Sequence, residues 1–257
     1  MKFSELLDLS DKVAIVTGGA GGIGKATALR LAEAGANVVI ADLNEEAAQS
    51  TVGEIEQLGV RGLAQTCNIL EDADLVKLVD ATIRAFGAIH ILINNAGGGG
   101  GGRENPFKIS VGDFERDFAL NVFSAWRLCQ LCAPHMKAAG YGSIVVTTSM
   151  SSINKSPNMS GYAASKAAVN HMVANLAHDF GPEIRINAVG PGATRTAALE
   201  SVLTPEIEAK MLEHTPLKRL GTADDIAGAM LYFAAPISSW VSGQTIFVNG
   251  GGIQVLD

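Results

Sequence analysis

The sequence predicts an α/β fold: a doubly wound, mainly parallel sheet of seven strands flanked by helices on both faces. Three observations carry that prediction. Short apolar runs rich in valine and isoleucine recur along the chain, helical-period segments separate them, and a glycine-rich turn follows the first run. Continuous rather than alternating apolar runs imply strands buried on both faces, the condition of a parallel sheet. Strand and helix in strict alternation imply βαβ units wound right-handedly. The chain has 257 residues, 47% hydrophobic and 18% charged, with no charge block or Pro/Ser-rich stretch dividing it. That suits one large domain over residues 1–257.

The first strand is expected at 13–17 (VAIVT), with a helix over 23–34. Between them Gly19, Gly21 and Gly24 form G-x-G-x-x-G, and Thr17, Gly18, Gly22 and Gly24 form the looser T-G-x-x-x-G-x-G. Glycines there let the backbone turn sharply and bring helix N–H groups against a pyrophosphate. The second strand, 37–42 (NVVIAD), ends on Asp42, with a helix over 45–58 after it. A carboxylate at that tip accepts both ribose hydroxyls of an adenosine and repels a 2′-phosphate; the other reading is a helix cap or solvated turn. No Arg or Lys lies within 13–24 or at residue 43, which selects NAD over NADP.

The third strand is expected at 61–67 and its helix at 72–86; the fourth strand, 89–95, runs into six glycines at 97–102. Such a run has no side chains to exclude a ligand. A long helix is expected over 111–137, and it contains Cys129 and Cys132. Their C-x-x-C spacing lacks a preceding strand and a second pair, so the thiols read as core packing. The histidines show no ligand spacing, and no metal site is expected.

The fifth strand, 143–149, ends on Ser149, and the helix 161–180 opens with Tyr162-Ala-Ala-Ser-Lys166. Residues four apart share a helix face, so the ammonium sits near the phenol, and a fixed cation there favours phenolate. The sixth strand, 184–189, leads into an excursion over 191–220 carrying a short amphipathic helix that starts at Thr204. A helix at 224–233 and a strand at 244–249 complete the pattern. Long loops at the carboxyl ends of parallel strands place the pocket at that end.

A net charge of −7 and a pI of about 5.2 make nucleic acid and anionic membrane poor partners. The N-terminus lacks a continuous apolar core, and no run reaches the length of a membrane span. A soluble, cytoplasmic protein with a small-molecule substrate is expected.

TGGAGGIG, Asp42, Asn94-Asn95-Ala-Gly97, Asn121, Ser149, the Tyr162/Lys166 pair and Pro191-Gly-Ala-Thr-Arg-Thr196 together resemble, in order and over nearly the whole chain, the short-chain dehydrogenase/reductase family. The stretches NKSPNMSGYAASKAA and TPEIEAKMLEHTPLKRLG are similar to the bacterial branch of that family acting on the 7α-hydroxyl of steroids. The resemblance implies a Rossmann-type fold and NAD as cofactor. It makes Tyr162 the acid/base, Lys166 its neighbour and a ribose ligand, Ser149 the carbonyl-orienting hydroxyl and Asn121 part of a proton relay. It places Gly18, Gly22, Ile23 and Gly24 at the pyrophosphate, and Asp42 and Leu43 at the ribose. Asn68 and Ile69 fall at the adenine, Asn95 at the cofactor's centre, and Thr194, Arg195 and Thr196 at the carboxamide and phosphates. Gly99, Ser149, Asn154 and Tyr162 form the substrate side, and a homotetramer is implied.

Two departures stand out. Asn68 replaces the family's usual Asp, although an amide oxygen still accepts from an adenine amine. The glycine run before Arg103 is longer than the family pattern and reshapes the substrate entrance. Asn154 reads equally as a substrate contact or a loop turn. Arg195 reads as a surface ion pair or as a partner for an anionic substrate tail. The favoured reaction is oxidation of a bile-acid 7α-hydroxyl. Reduction of 3-oxoacyl thioesters, oxidation of polyols, and a non-catalytic NAD-binding regulator are the alternatives.

Overall fold

The seven apolar runs form β1 (Val13–Thr17), β2 (Asn37–Asp42), β3 (Gly62–Thr66), β4 (Ile91–Asn94), β5 (Gly142–Thr147), β6 (Ile184–Pro191) and β7 (Thr245–Val248). They assemble in the order β3-β2-β1-β4-β5-β6-β7. Every pairing between these strands is parallel, where the sequence predicted a mainly parallel sheet. The computed structural model describes residues 2–99 and 104–252. Glycines 100–102 of the predicted glycine run, Arg103 and residues 253–257 lie outside the described residues.

Burial explains the sequence pattern. All residues of β1 and β4 are buried, while the edge strands β3 and β7 are mostly half-exposed. Central strands sandwiched between two helical layers therefore read as unbroken apolar runs. The helices are α1 (Gly22–Glu33), α2 (Glu45–Gln57), α3 (Asp72–Phe86), α4 (Val111–Phe118), α5 (Ser124–Ala139), α6 (Ser160–Phe180), α7 (Ala197–Glu200), α8 (Pro205–Glu213) and α9 (Ala223–Ala234). One face of the sheet packs against α1, α2 and α9 through Leu31, Ile55 and Phe233. The other packs against α3, α5 and α6 through Leu78, Leu128 and Val169. Each such fully buried side chain contributes roughly 1.5–3 kcal/mol.

The predicted helix over 111–137 is interrupted. Between α4 and α5, residues Ala119–Phe123 form a wider, π-type turn. Asn121 lies in that turn, with its amide drawn into bonds to other segments. Bulges of this kind concentrate where a side chain must be re-aimed. Cys129 and Cys132 are fully buried in the core, and burial pushes the Cys129 thiol up to about 12 and Cys132 upward too. Packing, not redox chemistry, accounts for the C-x-x-C.

The strand order reverses between β1 and β4, which opens a crevice at their carboxyl ends. Tyr162, Ser149 and the glycine turn all converge there. Among the described residues, no helix is long and apolar enough to cross a membrane.

Candidate active site

The glycine turn is built by backbone conformation. Gly18 and Gly22 adopt φ of 63° and 52°, the left-handed region in which a side chain is strained. α1 begins at Gly22 with Gly21 at its N-cap and no side-chain cap, which leaves its first N–H groups without a side-chain acceptor. Gly24 packs so closely on the turn that an added Cβ would collide with the Gly18 carbonyl and meet Asn95 Nδ2 at 2.7 Å. Ile23 is half-buried beside it, and the Thr196 methyl lies 3.6 Å from where a Gly22 Cβ would be.

Asn95 clamps this turn to the neighbouring strands. Its Nδ2 donates to the carbonyls of Thr17 (3.1 Å) and Gly18 (3.4 Å), and Thr147 Oγ1 donates to its Oδ1 at 3.3 Å. Thr17 Oγ1 accepts from the backbone N–H of both Asn95 and Ala96, each at 3.0 Å. The sequence reading put Asn95 at the cofactor's centre; in the structure its side chain holds the glycine turn in place, and Thr17, the first residue of the glycine motif, anchors it.

Beyond the turn lies a cleft of ≈ 470 Å³ lined by Gly18, Asp42, Leu43, Asn68, Ile69 and Arg116 among others. The predicted adenosine-side residues are therefore brought together. Asp42 Oδ2 accepts from Ala20 N–H at 3.1 Å and Oδ1 from Asn44 N–H at 3.0 Å, so the turn and ribose readings are compatible: each oxygen keeps a second lone pair. Asn68 Oδ1 accepts from Leu70 N–H at 3.1 Å in a local turn, again with one lone pair left. Arg116, on α4, escaped the sequence reading because it lies far from the glycine turn along the chain. Positive-φ glycines, an uncapped helix start and a carboxylate at the β2 tip suit a dinucleotide.

At the other end of the crevice, Ser149 follows β5 in extended conformation; its Oγ accepts from Ser151 N–H at 3.1 Å. The Tyr162 hydroxyl lies close enough for the Ser149 hydroxyl to lower its pKa. Lys166 lies on the same face of α6, with Nζ 5.8 Å from the Tyr162 ring centre, and donates to the Thr147 carbonyl at 2.8 Å. Asn121 Nδ2 donates to Gly98 O at 2.8 Å and Ser165 Oγ at 3.0 Å, while its Oδ1 accepts from Gly98 N–H. A Cβ on Gly97 would meet Asn121 Oδ1 at 2.7 Å and Lys166 Nζ at 3.3 Å, so only glycine fits between them. Gly99, predicted on the substrate side, lies against the Tyr162 ring. All four predicted catalytic residues are thus assembled.

The electrostatic expectation needs correcting. Burial pushes Tyr162 upward and outweighs the lowering by Ser149; the negative charge of Asp117 raises it further. Burial also brings Lys166 down to about 8. In the isolated protein burial therefore outweighs the pull of the lysine toward phenolate, because desolvation acts on both groups at once.

A second cavity of ≈ 120 Å³ lies between Ser149, Met150, Asn154, Met159 and Gly192. Asn154 lines it and donates its N–H to Met150 O at 2.9 Å in a local turn. Thr194 is buried with Oγ1 on Gly192 O, and Thr196 caps α7. The Arg195 guanidinium pairs with Glu208 at 2.7 Å and Glu200 at 4.0 Å, the surface ion pair of its two side-chain readings. Glu104 and Asp117, both buried next to Tyr162, were not foreseen. Among the described residues, no group of three or more His, Cys, Asp or Glu could hold a metal ion.

Comparison with known proteins agrees with this geometry. A family model described as enoyl-(acyl carrier protein) reductase matches residues 18–252. A 7alpha-hydroxysteroid dehydrogenase of Escherichia coli (strain K12) is 50% identical over 255 residues, covering 99% of each chain. A solved 7 alpha-hydroxysteroid dehydrogenase complexed with NADH and 7-oxo glycochenodeoxycholic acid superposes with a TM-score of 0.96 at 50% identity, covering 100% of both chains. A short-chain type dehydrogenase/reductase from Mycobacterium marinum gives a TM-score of 0.90 at 34% identity, covering 96% of this chain and 97% of that one.

Proposed function

The chain belongs to the short-chain dehydrogenase/reductase family, and from that premise we propose that it oxidises the 7α-hydroxyl of a bile acid or related steroid with NAD, or reduces the 7-ketone with NADH. The observation that carries the chemistry is the Ser149–Tyr162 hydroxyl pair, backed by a buried lysine, at the mouth of a dinucleotide-shaped cleft. The substrate class follows from the half-identical relatives, one of which was solved with NADH and a 7-oxo bile acid.

Gly18, Gly22, Ile23 and Gly24 would receive the pyrophosphate, Asp42 and Leu43 the adenosine ribose, and Asn68 and Ile69 the adenine. Thr194 and Thr196 would meet the nicotinamide half. When bound, NAD supplies hydride acceptance and return at its nicotinamide ring. The chain's own groups handle the proton. Tyr162 Oη gives its proton to a ketone oxygen in reduction and takes it back in oxidation. Ser149 Oγ orients that oxygen. Lys166, held by the Thr147 carbonyl near the Tyr162 ring, would present its remaining N–H donors to the ribose. Asn121, Lys166 and the Gly97 backbone line the route by which the proton is exchanged.

We place the enzyme in the cytoplasm as a homotetramer. Exposed Val111, Phe123 and Trp126 on and between α4 and α5 offer an apolar surface for association. Light scattering should then report four 26.7 kDa chains. The substrate is tested by incubating the protein with NAD and 7α-, 3α- or 12α-hydroxy bile acids, and with NADH and a 3-oxoacyl thioester, following absorbance of NADH. Turnover confined to 7α-hydroxy compounds supports the reading. Turnover of the thioester alone overturns it.

A further inference from the structure

Two carboxyl groups are buried side by side behind the tyrosine: Glu104 at 7% exposure and Asp117 at 8%. Glu104 stands just after the glycine run, and its N–H donates to Asn158 O at 3.0 Å, which ties that segment to the loop before α6. α6 itself starts without a side-chain cap, since Met159 occupies its N-cap. Glu104 supplies the acceptors instead. Its Oε1 accepts from Tyr162 N–H at 3.1 Å, and its Oε2 from Gly161 N–H. Negative charge and acceptors at a helix start are stabilising.

Asp117 fills the space left by two glycines. A Cβ on Gly99 would collide with its Oδ1, and one on Gly161 would meet its Oδ2 at 2.7 Å. Gly99 in turn is 3.4 Å, measured from such a Cβ, from the edge of the Tyr162 ring. Glu104 Oε2 and Asp117 Oδ2 flank the same point beside Gly161, 3.2 and 2.7 Å from where its Cβ would be, so the two carboxyl groups lie beside each other. Both Glu104 oxygens accept backbone N–H groups, which favours the charged form of Glu104 and leaves Asp117 as the carboxyl that keeps a proton.

We propose that Glu104 and Asp117 are positioning residues of the reaction, a proton-sharing carboxyl pair that fixes the start of the tyrosine's helix and, once fully ionised, holds the phenol in its protonated form. The proposal rests on Tyr162 being the proton carrier. The charged and titratable groups facing Asp117 are Glu104 from the segment after the glycines, Asp113 and Arg116 on α4, and Tyr162 from α6. Lys108 lines, together with Glu104 and Asp117, a cavity that opens beside the pair. Burial and the Glu104 charge push Asp117 up to about 6, and its charge pushes Tyr162 up in turn. As pH rises through that value the shared proton leaves and two anions face each other beside the phenol. Alcohol oxidation, which needs a proton acceptor, is thereby moved to higher pH, and ketone reduction persists toward neutrality.

The test is Asp117→Asn, which keeps an N–H donor for Glu104 and removes the titrating charge. The enzyme with NAD should show the acidic limb of kcat/KM for alcohol oxidation moved to lower pH by about half a unit, roughly threefold more activity at a fixed pH on that limb. Glu104→Gln, left with a single acceptor oxygen, should lose kcat more than it raises KM. A limb that stays in place in Asp117→Asn, or wild-type kcat in Glu104→Gln, overturns the proposal. Should Asp117→Asn fail to fold, carbon-13 NMR of labelled aspartate in the wild-type protein decides: a carboxyl at 117 that titrates like an exposed aspartate overturns it, and one that titrates near neutrality supports it. Tyr162→Phe separates the two ideas, since turnover surviving there refutes the tyrosine reading itself, whereas a fixed limb in Asp117→Asn refutes only the pair.

Discussion

α9 and α6 begin in opposite ways. At α9, Thr222 Oγ1 accepts from Asp225 N–H at 3.2 Å, and Asp225 Oδ2 accepts from Thr222 N–H at 2.7 Å, a reciprocal box written within four residues. At α6, Met159 offers nothing, and the acceptors arrive from Glu104, 57 residues before Gly161. A locally capped helix stands independently of its surroundings. A remotely capped one moves with the segment that caps it, and here that segment borders the glycine run and a cavity that Asn154 also lines. The helix carrying Tyr162 and Lys166 is thus coupled to the entrance, whereas α9 serves only the core.

Removing the remote cap should break this contrast most strongly. Glu104→Ala strips two buried N–H groups of their acceptor and leaves Asp117 without its partner, and should cost about 2–4 kcal/mol in denaturant unfolding together with most of kcat. Asp117→Asn sharpens it through pH. A group whose folded pKa is raised contributes stability below its unfolded value and loses it as pH rises through the folded one, here from 3.8 to about 6. The melting temperature of the variant relative to wild type should therefore be higher at pH 7.5 than at pH 4, equivalent to about 1–2 kcal/mol. Thr222→Ala, at the local cap, should cost about 1 kcal/mol with kcat and KM unchanged, as thermal melts and steady-state kinetics would show. Arg195→Ala should be smallest, under about 1 kcal/mol, because its ion pairs are exposed. The ratio of KM for carboxylated and uncharged steroids should not change.

The same contrast explains what the sequence made legible. The strands, the glycine turn, Asp42 and the Tyr162/Lys166 pair are governed by neighbours in sequence, and periodicity and spacing report such neighbours directly. Glu104 is invisible to that reading, since an acid after a glycine run looks like a solvated loop residue. Asp117 hides within an amphipathic helix for the same reason. The π turn at Asn121 was missed because its cause lies in Gly98 and Ser165, on separate segments. The electrostatics erred because spacing shows a cation near a phenol but not that both are buried.

The central claim is that the Tyr162 hydroxyl carries the proton while a dinucleotide held by the glycine turn carries the hydride. Tyr162→Phe removes one oxygen and keeps the ring, so NADH fluorescence titration and NAD-dependent oxidation of a 7α-hydroxy bile acid should be measured on the same preparation. The account predicts cofactor affinity within about threefold of wild type and a turnover lower by about 10²-fold or more. Wild-type turnover in that variant would contradict it.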